Sequence, residues 1–175
     1  LSSLIVLGVH YKDVVDRLLK LGVADAAAFE WQSKVRPVWH SAENPDEEGL
    51  VIHCAHVNFP YGYEYLGEVT RLVITPLTER CHVSLLAAQA VNGAGVLAGP
   101  AGIGKTETTK DLSKACARHC VVFNCHEGLD CSVAARFFLG LAGGGFWCCL
   151  EEFDRVGVEV LSIVAQQLLV LFSAK

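Results

Sequence analysis

Apolar residues fall at positions 14, 15, 18, 19 and 21, the spacing of one helical face, and Gly22 follows as a stop signal. This predicts a helix over 11–21, and a second short helix is predicted over 24–32. After an acidic loop at 41–49 the pattern changes to strands. Residues 51–57 read as one strand, 61–67 as a tight aromatic hairpin, and 71–75 as a short strand ending at Pro76. A helix is predicted over 78–90. From there the chain alternates regularly: strand 95–98, helix 105–118, strand 120–124, helix 132–142, strand 146–150, and a helix from 157 onward. Glycines 143–145 mark a loop before the last strand. Residues 120–124 are apolar almost throughout, as in strands buried on both faces. Alternating strands and helices at this spacing predict an α/β fold, a parallel sheet with helices on both faces.

Composition narrows the functions open to such a fold. The 175 residues are 52% hydrophobic and 19% charged, with a net charge of −5. That balance is globular and acidic, so no nucleic-acid partner is expected. The longest apolar stretch, 158–174, is broken by Glu159, Gln166 and Gln167, and the run at 4–9 is short with no basic leader. No membrane partner is expected. Eight cysteines raise the question of zinc, with Cys116, His119, Cys120, Cys125 and His126 as the densest group. Their spacing matches no usual zinc module, there is no CxxC pair, and most lie in apolar runs, so buried thiols are expected. His53 and His56 are read in the same way, as structural. The chain contains no Met, and its last helical stretch carries no stop signal. It is expected to be a fragment.

The most specific feature follows strand 95–98. Gly99, Pro100, Ala101, Gly102, Ile103, Gly104, Lys105 and Thr106 fit G-x-x-x-x-G-K-[ST] in full. Glycines let backbone N–H groups converge on phosphate oxygens, and the N-terminus of the following helix adds its dipole. Lys105 is expected to reach the β- and γ-phosphates of ATP or ADP, and Thr106 to offer its hydroxyl to Mg²⁺. Such a loop needs an acid at a neighbouring strand end. Strand 146–150 runs into Glu151 and Glu152, so Glu151 is the candidate for Mg²⁺ through water and Glu152 for the general base. The alternative is a plain strand end meeting solvent.

A closer match comes from several segments together. They are Tyr61-Gly-Tyr-Glu-Tyr-Leu-Gly67, Arg71-Leu-Val-Ile-Thr-Pro-Leu-Thr-Glu-Arg80, the loop from Gly99 to Asp111, Val121-Val-Phe-Asn-Cys125, Gly128-Leu-Asp130 and Val160-Leu-Ser-Ile-Val-Ala-Gln-Gln167. Combined, they resemble dynein heavy chains, with wording closer to axonemal than cytoplasmic members. The resemblance implies the end of the linker over 1–60 and the first half of the first AAA+ module, a P-loop NTPase αβα sheet, over 61–175. It implies an ATP site of a microtubule motor in the cytoskeleton of a cilium or flagellum. The implied partners are the remaining AAA+ modules, intermediate and light chains, and microtubules. By position it puts Ile74, Pro76 and Leu77 near the adenine, Asn124 against the catalytic glutamate, and Glu152 as that glutamate.

Two residues depart from the family pattern: Glu151 stands where the family has Asp, and Asp154 where it has Asn. Mg²⁺ demands tight octahedral geometry, so the longer Glu151 puts hydrolysis in more doubt than binding. A regulatory or degenerate module that binds ATP without turning it over is therefore the alternative, and a remnant of a decayed gene a third reading. In the family's strand order 5-1-4-3-2, these residues supply strands 1, 2 and 3. The 175 residues alone are expected to be poorly stable and inactive.

Overall fold

The computed structural model describes residues 1–41, 49–126 and 128–173. Most of the acidic loop expected at 41–49 lies outside the described residues. The chain forms two compact units, Leu1–Arg118 and His119–Lys175.

In the first unit, helix α1 (Ser2–Lys20) is longer than the 11–21 prediction and takes in the apolar run at 4–9. A run that is apolar at nearly every position carries no visible period, although nothing in it stops a helix. Gly22 follows the helix with φ +66°. Helix α2 is a single turn, Phe29–Gln32, shorter than predicted. Three antiparallel strands follow in the order β1 (Arg36–His40), β2 (Gly49–Cys54), β3 (Val57–Pro60). Strand β1 carries no strong sequence signal because Pro37 interrupts it; as an edge strand it tolerates a missing donor. The predicted single strand 51–57 is a hairpin instead. The chain turns at Ala55 and His56, with Cys54 opposite Val57 and Ala55 at φ +53°. An Ala-His turn lacks the Asn-Gly or Asp-Gly signature that marks such hairpins. His53 stacks on His40 with ring centroids 5.0 Å apart.

The hairpin expected at 61–67 is also replaced, by an irregular segment laid on the end of helix α4 (Lys105–Ala115). The Gly62 and Glu64 amides donate to the Cys116 and Ala117 carbonyls at 2.9 and 3.1 Å, satisfying groups that a helix end leaves over. A Cβ on residue 62 would sit 2.2 Å from the Ala117 oxygen, so only glycine fits there. Tyr61 and Tyr63 meet edge to face, and the Tyr63 hydroxyl accepts from the Leu50 amide at 2.8 Å. Helix α3 (Pro76–Ala90) starts two residues before its prediction, because Thr75 and Thr78 form a reciprocal capping box around Pro76. Neither 71–75 nor 95–98 joins a ladder among the described residues, and Val96 is 87% exposed. The unit's core gathers Ile52, Cys54, Leu86, Leu112 and Cys116.

The second unit is the β–α–β–α stretch that the alternation predicted. Strands β4 (Cys120–Asn124) and β5 (Trp147–Glu151) pair in parallel, each within a residue of its prediction. Helix α5 (Cys131–Gly144) absorbs two of the three glycines read as a loop, and Gly145 caps it. Helix α6 (Val158–Ser173) follows a 3₁₀ turn at Phe153–Arg155. Ala134 and Phe138 on α5 and Val160 and Val164 on α6 are spaced i, i+4; each pair faces a core shared with Phe123 and Leu150. No helix among the described residues is long and apolar enough to cross a membrane.

Candidate nucleotide site

The glycine-rich loop opens helix α4 through Gly104, which caps the helix in the left-handed region at φ +85°, ψ +24°. Gly102 is also left-handed, at φ +79°. A Cβ at either position would have no protein atom within 4 Å, so glycine is needed there for backbone conformation and the space beside the loop stays open. Lys105 folds back over the loop, its Nζ donating to the Gly99 and Pro100 carbonyls at 2.8 and 2.7 Å. Thr106 sits half-buried in the first helical turn, and Ala101 and Ile103 are exposed. Thr108 fastens that turn, donating to the Gly104 carbonyl from its amide and its hydroxyl, both at 2.9 Å. An open loop, a helix N-terminus and an ammonium on one spot are what a polyphosphate requires, and the residues present fit one.

Segment 71–77 is tied to the same helix. Asp111, 1% exposed on α4, takes Arg71 Nε at 2.9 Å and Nη2 at 3.2 Å, and accepts the Leu72 amide at 3.0 Å. Burial works against the ionised carboxyl, but the Arg71 and Leu72 hydrogen bonds and the Arg71 charge outweigh it and hold Asp111 below its ordinary value. From α3, the ring of buried His82 bonds to the Thr108 backbone while its Nε2 has no partner. Burial lowers the His82 pKa, against the opposing pull of Asp111. Ile74 lines a cavity of about 230 Å³ with Arg71, Glu79 and His82; Leu77 is 70% exposed on the first turn of α3.

The acids lie in the second unit. Glu151 is the last residue of β5, in register with Asn124 at the end of β4, and its carbonyl accepts the Cys125 amide at 2.9 Å. Glu152 leaves the strand at φ +51°, unusual for a residue with a Cβ, and starts the 3₁₀ turn. Its Oε2 is 3.1 Å from Arg155 Nη1. Asn124, Glu151 and Glu152 thus lie at the same end of the β4–β5 pair in the second unit, and the loop residues, Ile74, Pro76 and Leu77 belong to the first unit. Sequence reading missed the Arg71–Asp111 pair, which is 40 residues apart with no local signal. Arg155, three residues after Glu152 in a short turn, was open to being read.

Among the described residues, no three His, Cys, Asp or Glu are grouped to hold an ion. Burial pushes the thiol of Cys54 up to about 11 and those of Cys116 and Cys148 to about 12, which keeps them protonated and unreactive.

A left-handed glycine loop that fits G-x-x-x-x-G-K-[ST] and opens a helix is the signature element of P-loop nucleotide-binding proteins. Residues 61–175 match the family described as the hydrolytic ATP binding site of the dynein motor region. The chain belongs to that dynein motor family, and its α/β fold is that of a partial AAA+ module. It is 49% identical to dynein axonemal heavy chain 6 of Homo sapiens, over 100% of this chain and 4% of that protein. To dynein axonemal heavy chain 12 of Homo sapiens it is 50% identical, over 97% of this chain and 5% of that protein. To dynein axonemal heavy chain 1 of Mus musculus it is 49% identical, over 100% of this chain and 4% of that protein. The chain therefore spans only about a twentieth of the length of these relatives.

Proposed function

We propose that this chain is the ATP-binding segment of an axonemal-type dynein motor, with residues 1–60 ending the linker and 61–175 opening the first AAA+ module. The observation that carries the reading is the left-handed glycine loop at the head of α4 with Lys105 over its mouth. In this reading Lys105 and the loop amides hold the phosphates of ATP. Thr106, and Glu151 through water, would hold Mg²⁺, which when bound neutralises phosphate charge. Ile74, Pro76 and Leu77 form a wall for the adenine. Glu152 is the general base, and Asn124 on the neighbouring strand restrains its carboxylate. The other AAA+ modules of the same heavy chain, its intermediate and light chains and microtubules are the partners, and the axoneme of a cilium or flagellum is the location.

Lys105→Ala removes a charge-assisted donor worth about 1.5–3 kcal/mol, so affinity for a fluorescent ATP analogue should fall about 10- to 100-fold. Unchanged affinity would refute the loop as the phosphate site. The substitution at Glu151 favours a second reading, binding without turnover, because its extra methylene displaces the carboxylate that should position the metal's water. Glu151→Asp separates the two in the heavy chain that carries this segment. A large gain in ATP turnover supports the impaired site, and no change removes it.

A further inference from the structure

We infer that Asp111 is a positioning residue that locks the adenine wall to the phosphate loop and so sets discrimination for the base of the nucleotide. The inference rests on the proposed roles of Ile74, Pro76 and Leu77. Among the described residues segment 71–75 joins no ladder, and side-chain ties hold it in place. Asp111 supplies three of them: two to the Arg71 guanidinium, at 2.9 and 3.2 Å, and one to the Leu72 amide at 3.0 Å. The carboxylate lies on α4, two turns beyond the loop, on a helix whose first turn is fastened to Gly104 by Thr108. Lys114 adds a tie from the same helix, donating to the Thr70 carbonyl at 3.1 Å. Segment 70–72 is thus braced against the helix that carries the phosphate site, two residues before Ile74. An inward-facing ion pair with two parallel hydrogen bonds constrains orientation as well as distance, which an apolar contact does not. Loosening it should free the base wall while leaving the phosphate loop intact.

The test compares ATP with inorganic tripolyphosphate, which carries the phosphates without the base, by displacement of a fluorescent ATP analogue from the full chain. The wild type should bind ATP at least about 10-fold more tightly. Asp111→Asn should lose most of that preference and keep tripolyphosphate affinity within about two-fold. Because a lone buried Arg71 threatens folding, the double substitution Arg71→Met with Asp111→Leu serves as the second variant, with no unpaired charge left behind. It should lose the preference in the same way, and its Leu72 amide should exchange hydrogen faster. A merely structural role would weaken both ligands together, and that result overturns the inference. So does retention of the preference in both variants. A wild type that binds ATP and tripolyphosphate equally would instead remove the adenine wall itself, and the inference with it.

Discussion

Two glycines distinguish packing from conformation as the reason a residue is required, because the same substitution should act in opposite directions. At Gly62 the added Cβ would lie 2.2 Å from the Ala117 oxygen and 2.6 and 2.8 Å from Cδ and Nε of Arg118. The arginine end can move, but the backbone oxygen belongs to the turn closing α4. Relief needs a shift of about 1 Å to reach ordinary contact, enough to break the 2.9 Å bond from the Gly62 amide to Cys116 and the 3.1 Å bond from Glu64 to Ala117. Each hydrogen bond contributes about 0.5–1.5 kcal/mol, and overpacking strain costs about 1–3 kcal/mol. Gly62→Ala should therefore destabilise by about 2–6 kcal/mol. Gly8, in the exposed middle of α1, has nothing within 4 Å of its Cβ position. There Ala should stabilise by about 0.5–1 kcal/mol through helix propensity. Urea unfolding followed by circular dichroism measures both, with amide exchange at residue 64 as a local readout. A neutral Gly62→Ala, or equal losses at both sites, would refute the steric reasoning.

Two further outcomes rest on burial and charge. Stability should decline with acid in two stages. His82 is held below its ordinary 6.5 by burial, against the pull of Asp111 and Glu79. The unfolded chain therefore takes up the extra proton first, and stability falls as pH drops below about 6.5. Asp111 is held below its ordinary 3.8 despite burial, by Arg71 and Leu72, so its contribution is complete above that value and is lost as pH falls through the folded value. His82→Gln should make the first decline in urea midpoint shallower; an unchanged profile would count against it. In the second unit, Phe138→Ala should cost about 3–5 kcal/mol because the ring is 5% exposed, while Leu139→Ala, at 74%, should stay within about 0.5 kcal/mol. Amide exchange in β4 and β5 reads the difference, and equal effects would contradict the assigned core.

Much of the second unit was legible in the chain itself. Residues 120–124, 132–142 and 146–150 came within a few positions of their observed bounds, because local periodicity and the contacts that stabilise the elements coincide there. The family was legible too, since the glycine loop and the segments at 61–67, 71–80 and 121–125 are specific enough to identify without coordinates. The first unit was less readable. The hairpin at 55–56 lacks turn residues, and the apolar run at 4–9 shows no period. Segment 61–67 reads as a hairpin yet bonds to β2 and the end of α4, and segment 71–75 reads as a strand yet is tied to α4 through Asp111.

The sequence alone determined the G-x-x-x-x-G-K-[ST] pattern and the acid pair after an apolar strand, because each depends on residue type at short spacing, while the departure at Glu151 came from the resemblance to the family. Tertiary structure decided which partners complete them. Whether apolar residues 95–98 join a ladder depends on strands elsewhere in the chain, and Asp111 acquires its role from Arg71, 40 residues away. Such pairings leave no local pattern, because the free energy that selects them comes from burying two distant segments together.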